Sequence, residues 1–180
     1  IGDILYIKAV IIKVPKEILK PYLVLFKDCG INITDITLGA LGDYYESRNE
    51  EFDSDISAIV NIGYDKMDVS IYNKGIMIKY GLVLEGSKLI DNDISYMYKL
   101  NLDEACVVKE KFALAHKSNA NINDFYEASF GKINQFEVSE VVMSRVEEIL
   151  GLAKKEIFNL AGRKMDYIII TGGVSNMDGF

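Results

Sequence analysis

Three apolar runs in close succession, Ala58 to Ile62, Val69 to Tyr72 and Ile76 to Leu84, constrain the fold of this chain more than any other feature. Each is rich in Val, Ile and Tyr, has the length of a strand, and ends in polar or glycine-containing residues. Asn73-Lys74-Gly75 makes the second connection a tight hairpin. After Leu84, Gly86 and Ser87 open a helix, with Ser87 placed as its N-cap and Ile90, Ile94, Met97 and Tyr98 along one face. Asp103 to Ala113 reads as a second helix. Ser139 to Leu160 reads as the longest, with Val142, Val146, Ile149, Leu150, Ala153 and Ile157 in one stripe. It leads into Tyr167 to Ile170, a short continuous apolar run of the kind that forms a buried strand.

The N-terminal third is less regular. Leu5 to Val14 suits a strand ended by Pro15, and residues 16 to 29 carry Ile18, Leu19, Tyr22, Leu25 and Phe26 at helical spacing before Gly30. Pro21 is expected to kink or divide that helix. Ile31, Ile33 and Ile36 suit a short strand, Leu38 to Tyr45 a short helix, and Glu46 to Asp55 a charged surface loop. Residues 117 to 131 are small and polar, so a loop or a weak edge is expected, with Ile133 to Phe136 as a short strand.

With 49% hydrophobic and 26% charged residues, the composition is that of an ordinary globular protein. A length of 180 residues suits one sizeable core or two small lobes. A net charge of −7 without a basic stripe argues against a nucleic-acid surface, because neutralising phosphates needs clustered Lys and Arg. Cys29 and Cys106 have neither metal-ligand spacing nor a disulfide framework, and read as buried thiols in a reducing cytoplasm. No metal site is expected. No run approaches the roughly 18 apolar residues of a membrane span, so the chain is expected to be soluble. Its start at Ile1-Gly2-Asp3 and its end just after a glycine turn lead us to expect a piece of something longer.

Two segments can carry chemistry. Gly172-Gly173 follows an apolar strand, and residues without a Cβ let backbone approach a ligand closely at the end of the sheet where open α/β folds bind. The same pair is also what an ordinary turn looks like. Asn61-Ile62-Gly63-Tyr64-Asp65-Lys66-Met67-Asp68 joins two strands and can turn backbone N–H groups toward an anion, or be a hairpin with a polar tip. His116 reads as a surface residue, Glu147 and Glu148 with Lys154 and Lys155 as solvated ion pairs, and the acidic run at 46 to 55 as loop, since it lacks a calcium-loop pattern.

The order and spacing of these pieces resemble the FtsA family of actin-like ATPases. That family's second phosphate loop, D-I-G-G-G-T-T-D-I, is matched by Asn61 to Val69, which keeps Gly63 and Asp68 but loses the first Asp, two glycines and both threonines. The turn G-G-x-x-[IL]-T-x-D-I resembles Gly86 to Ile94, and A-E-x-x-K resembles Ala105-Cys106-Val107-Val108-Lys109. There Lys109 carries over, whereas Cys106 replaces a glutamate that lies beside the nucleoside in the family; a thiol is a weaker acceptor than a carboxylate. Ser144 to Leu150 is close to the A-R-x-E-E-[IL] helix, and Ile169-Ile170-Thr171-Gly172-Gly173 to the adenosine motif I-x-x-T-G-G.

The resemblance implies an α/β fold: an actin-like (ribonuclease H-like) mixed sheet with flanking helices and a smaller inserted α+β subdomain. Residues 1–30 would end the inserted subdomain, 31–85 and 138–180 form the core subdomain, and 86–137 the upper one. It implies nucleotide contacts at Gly63, Asp68, Gly86, Lys109, Thr171, Gly172 and Gly173, with ATP and Mg²⁺ held by the full-length protein. It also implies that the upper subdomain receives the acidic tail of FtsZ, with Lys99, Lys109 and Lys111 as partners, and that copies assemble into filaments. The location implied is cytoplasmic, peripheral at the membrane or septum through parts outside this chain. Asn61 in place of Asp removes a carboxylate that metal-assisted hydrolysis uses. A non-hydrolysing scaffold of the same fold, such as a pilus-assembly adaptor, is therefore the alternative.

Overall fold

The computed structural model describes residues 11–180, so the strand expected at Leu5 to Val14 falls largely outside the described residues. Strands β1 (Ile56–Ile62), β2 (Met67–Asn73) and β3 (Ile76–Val83) form an antiparallel meander. Lys74 and Gly75 close its hairpin with φ of 51° and 74°, the left-handed pair that a two-residue turn needs to match strand twist. The last strand of the sheet, Tyr167–Thr171, pairs parallel to β1, from Ser57 opposite Tyr167 to Asn61 opposite Thr171. The mixed sheet thus runs β3-β2-β1 and then this parallel strand.

β1 is buried on both faces, which is why its sequence is continuously apolar instead of alternating. Ala58, Val60 and Ile62 point into the larger core, and Ile59 points into a smaller, aromatic one. Helices α1 (Lys16–Asp28), α2 (Gly39–Ser47) and α3 (Glu50–Ser54) precede the sheet. α1 contains Pro21 without being divided, and ends with Gly30 at φ 71° and Ile31 N–H donating back to the Phe26 carbonyl. Tyr44 from α2 stacks on Tyr72 from β2 at 4.7 Å between ring centroids, and Phe52 from α3 packs edge-on against Tyr72 at 5.4 Å.

α4 (Lys88–Tyr98) and α5 (Leu102–Lys111) follow the meander, then the small hairpin β4 (Phe125–Ala128) and β5 (Gly131–Asn134). α6 (Gln135–Ala161) returns along the sheet and leads into β6, the parallel strand described above. Val138, Val142, Val146, Ile149, Ala153 and Ile157 of α6 are buried in one stripe. Each Val or Ile so buried is worth about 1.5–3 kcal/mol of transfer free energy. α6 is also tied to α4 by Arg145, which reaches both carboxylate oxygens of Asp93 at 2.6 and 3.1 Å.

Several expectations are corrected. Residues 31 to 38 are irregular, with Ile31 and Ile36 half exposed and no strand among the described residues paired with them. The charged run at 46 to 55 is not merely loop. Asn49 caps α3 by accepting from Phe52 N–H, and that turn drives Phe52 to 0% exposure. Residues 117 to 131 contain a 3₁₀ turn and β4, held to α5 where Ser129 donates through its N–H and hydroxyl to Glu104, whose pKa those bonds lower. Ser87 stands at the N-cap of α4 in helical geometry and makes no side-chain cap. The longest helix begins at Gln135, not at Ser139: Asn134 caps it, and the Ser139 hydroxyl accepts from Leu114 N–H. Cys29 is exposed and Cys106 partly so, rather than buried. Glu148 pairs with Arg145 at 2.7 Å, not with the lysines that follow.

Candidate functional site

β1 and β6 run parallel and end side by side, and each ends in a turn. Beyond β1, Gly63 N–H donates to Lys66 O at 2.9 Å and closes the first turn. Beyond β6, Gly172 adopts φ 98° and a 3₁₀ turn, Gly173–Asn176, begins. A Cβ on Gly172 would stand 2.3 Å from Ile62 O, so only glycine lets the two turns touch. Gly86 closes the same wall from α4. A Cβ there would meet Tyr64 O at 2.4 Å, and the next two N–H groups donate to the turn, Ser87 to Gly63 O and Lys88 to Tyr64 O, each at 2.9 Å.

Between these turns and the end of α5 lies a cavity of about 540 Å³, lined among others by Gly63, Tyr64, Lys109, Lys111, Gly173 and Met177. That volume falls in the range of small-molecule sites. Thr171 Oγ1 is buried with no hydrogen-bond partner among the described residues, but on the face of β6 that carries Tyr167 and Ile169, and Thr171 does not line the cavity. Gly173 meets nothing within 4 Å on its Cβ side, which leaves room at the cavity wall.

Lys109 is 6% exposed, and its Nζ lies 2.8 Å from Oδ1 of Asp91, which is fully buried. Neither Asp91 oxygen meets hydrogen-bond geometry, so the pair is held by proximity and charge rather than by an aligned bond. Removing one partner of such a pair leaves an uncompensated buried charge, at a cost of about 3–5 kcal/mol. Tyr64 sits beside it. Lys109 Nζ is 5.6 Å and Lys88 Nζ 5.8 Å from its ring centroid, and desolvation followed by the charge of Asp91 raises its phenol pKa. Asp65 pairs with Lys88 at 3.3 Å in an exposed bridge.

The structure therefore gathers Gly63, Lys109, Lys111 and Gly173 around one cavity, with Gly86, Thr171 and Gly172 directly behind its wall. Asp68 is elsewhere: it lies on β2 and accepts from the Tyr80 hydroxyl, whose pKa desolvation and this bond push up to about 12. The three lysines do not form one acidic-peptide patch. Lys109 is buried against Asp91, Lys111 is at the cavity, and Lys99 is the left-handed cap at the far end of α4, beside Asp93 and Tyr96. Sequence reasoning missed Asp91, whose only signal is a Lys on a buried helix that needs a carboxylate opposite it. It also missed Asp43 of α2, whose Oδ2 accepts from Asn61 Nδ2 at 2.9 Å and brings a carboxylate beside the position where one was lost. Among the described residues no group of three or more His, Cys, Asp or Glu side chains is placed to hold a metal ion.

The chain aligns with the cell division protein FtsA of Bacillus subtilis strain 168 at 25% identity, over 99% of this chain and 42% of that protein. It thus spans about two fifths of the length of the curated relatives it matches. Its fold is similar to that of MreB5 of Spiroplasma citri, solved bound to AMPPNP, with a TM-score of 0.64 and 14% identity over 93% of this chain and 56% of that one. It is also similar to the archaeal actin homolog Ta0583, with a TM-score of 0.54 and 14% identity over 78% and 42%. The fold is the actin-like α/β fold expected from the sequence. The family model described as cell division protein FtsA matches residues 58–180, which include both turns, both strands that carry them and all of α4, α5 and α6, so the chain belongs to the FtsA family.

Proposed function

We propose that this chain is the second nucleotide-binding lobe of an FtsA-type, actin-like cell-division protein, and that the cavity beside Gly173 holds the nucleoside of ATP. The observation that carries the reading is the close packing of Gly172 on Ile62 and of Gly86 on the Gly63–Tyr64 turn, beside a cavity of nucleotide size at the C-terminal ends of parallel strands. The open side of Gly173 leaves room for a ligand there. Gly63, Gly86, Lys109, Thr171, Gly172 and Gly173 form or support that subsite, with Asp68 left out for its commitment to Tyr80.

Position 61 is an amide bonded to Asp43, and among the described residues no group of three His, Cys, Asp or Glu side chains is placed to hold Mg²⁺. Metal and first phosphate loop belong, in this reading, to the rest of a longer protein. Residues 31–85 and 138–180 act as the core subdomain, 86–137 as the upper one, and residues up to 30 as the end of an inserted one. The upper subdomain receives the acidic tail of FtsZ at one of two separate places, Lys99 at the end of α4 or Lys111 at the end of α5, copies assemble end to end, and the protein works at the cytoplasmic side of the septal membrane. Reversing Lys99 or Lys111 to Glu is expected to weaken binding of an FtsZ tail peptide at least threefold in calorimetry; unchanged affinity for both removes that surface from the proposal.

A second reading, a non-hydrolysing scaffold, is favoured by one observation: Tyr64 and Asp65 stand where the phosphate turn has glycines in the family. Titration of the full-length protein with a fluorescent ATP analogue, with and without Mg²⁺, separates the two. Saturable micromolar binding strengthened by Mg²⁺ supports the nucleotide switch, and binding indifferent to Mg²⁺ supports the scaffold.

A further inference from the structure

Three backbone N–H groups and two lysine ammonium groups on the side of the cavity formed by the turn after β1 and the start of α4 are already engaged. Gly63 N–H is bonded to Lys66 O within its own turn, and Ser87 N–H and Lys88 N–H at the start of α4 are bonded to Gly63 O and Tyr64 O. Lys88 Nζ bridges to the Asp65 carboxylate at 3.3 Å and stands over the Tyr64 ring. Lys109 Nζ is spent on buried Asp91 and faces the same ring. We infer that Tyr64 and Asp65 act as a resident ligand of the phosphate turn, so that this lobe reads the nucleoside and gains little from the phosphate chain. Tyr64 and Asp65 are then specificity-determining residues, which set the ligand class as adenine nucleosides with little regard to how many phosphates they carry.

Magnitudes locate the block. The Lys88–Asp65 bridge is 46% and 70% exposed at its two side chains, and a bridge that open is too weak to exclude a phosphate by itself. Lys109 cannot turn toward a ligand without abandoning a buried carboxylate whose one ion pair among the described residues is with it. What remains is the bulk of Tyr64, which is 45% exposed and lies beside the buried Lys109–Asp91 pair, and the like charge of Asp65 on the exposed turn.

This inference rests on the nucleotide reading above, and its test separates the two. Calorimetric titrations of the full-length protein with adenosine, ATP and inorganic tripolyphosphate are compared with those of the double variant Tyr64→Gly, Asp65→Gly. The double variant is expected to raise the ratio of ATP to adenosine affinity at least tenfold, and to bind tripolyphosphate at least tenfold tighter than the unsubstituted protein. Asp65→Asn, which keeps the turn's shape, is expected to give about a threefold gain in the same direction, and serves if the double variant misfolds. Unchanged ratios in the variants overturn the inference. A gain in tripolyphosphate binding without any adenosine binding keeps the resident ligand and overturns the nucleoside reading instead.

Discussion

At the residue scale, the site is organised by one buried ion pair that the sequence did not announce. Lys109 was legible as a functional position through its resemblance, but its environment was not, because nothing in a one-dimensional pattern places Asp91 of α4 against it. Replacing Lys109 with Met is expected to destabilise the chain by about 3–5 kcal/mol in urea unfolding, since Asp91 is left charged and buried. Adding Asp91→Leu should recover most of that loss, and a double variant no more stable than Lys109→Met would show that the pair is not what holds α4 to α5. Tyr80 gives a pH signature. Its phenol has a folded pKa of about 12 against an ordinary 10, so its contribution to stability is complete below about pH 10 and is lost as pH rises toward 12. Tyr80→Phe should flatten that alkaline slope in thermal melts, and an unchanged slope would assign the loss to other groups.

At the element scale, the long helix buries one continuous stripe in the larger core, and that stripe was readable because apolar residues recur at helical spacing from Val142 to Ile157. Its beginning was not. Asn134, rather than Ser139, holds the first turn by accepting from Phe136 and Glu137 N–H at 3.0 and 3.2 Å, while Ser139 is turned inward to Leu114. Asn134→Ala is expected to cost about 1 kcal/mol, and Ile149→Ala about 2–5 kcal/mol, in chemical denaturation. The order of these two losses is the check, because a larger cost at the cap would mean that α6 is held by its end rather than by its buried face. The strands were legible for the same reason as the helix, with β1 continuous because both its faces are covered. The segment from Ile31 to Ile36 misled because β-branched residues favour strands only where a neighbour exists to pair with.

At the scale of the whole molecule, the strands of the meander, the long helix and the two terminal turns were legible in the sequence, whereas the order of the strands in the sheet was not. The juxtaposition of Gly172 with Ile62 O, and of Gly86 with Tyr64 O, did not follow, since it depends on a parallel pairing between segments far apart in the chain. Asp68 shows the same limit in reverse. Its position in the motif was kept while its side chain was turned along β2 to Tyr80. Family membership therefore fixes the frame of the site, and the contacts of individual side chains decide what the frame holds.

The most direct measurement is nucleotide affinity of the full-length protein with and without Gly173→Leu. That position has open space on its Cβ side and lines the cavity, so a leucine there should leave the thermal melt unchanged while occupying the nucleoside site. A loss of at least tenfold in affinity for a fluorescent ATP analogue is the expected result. Undiminished binding by a folded Gly173→Leu protein would contradict the placement of the nucleoside in this cavity.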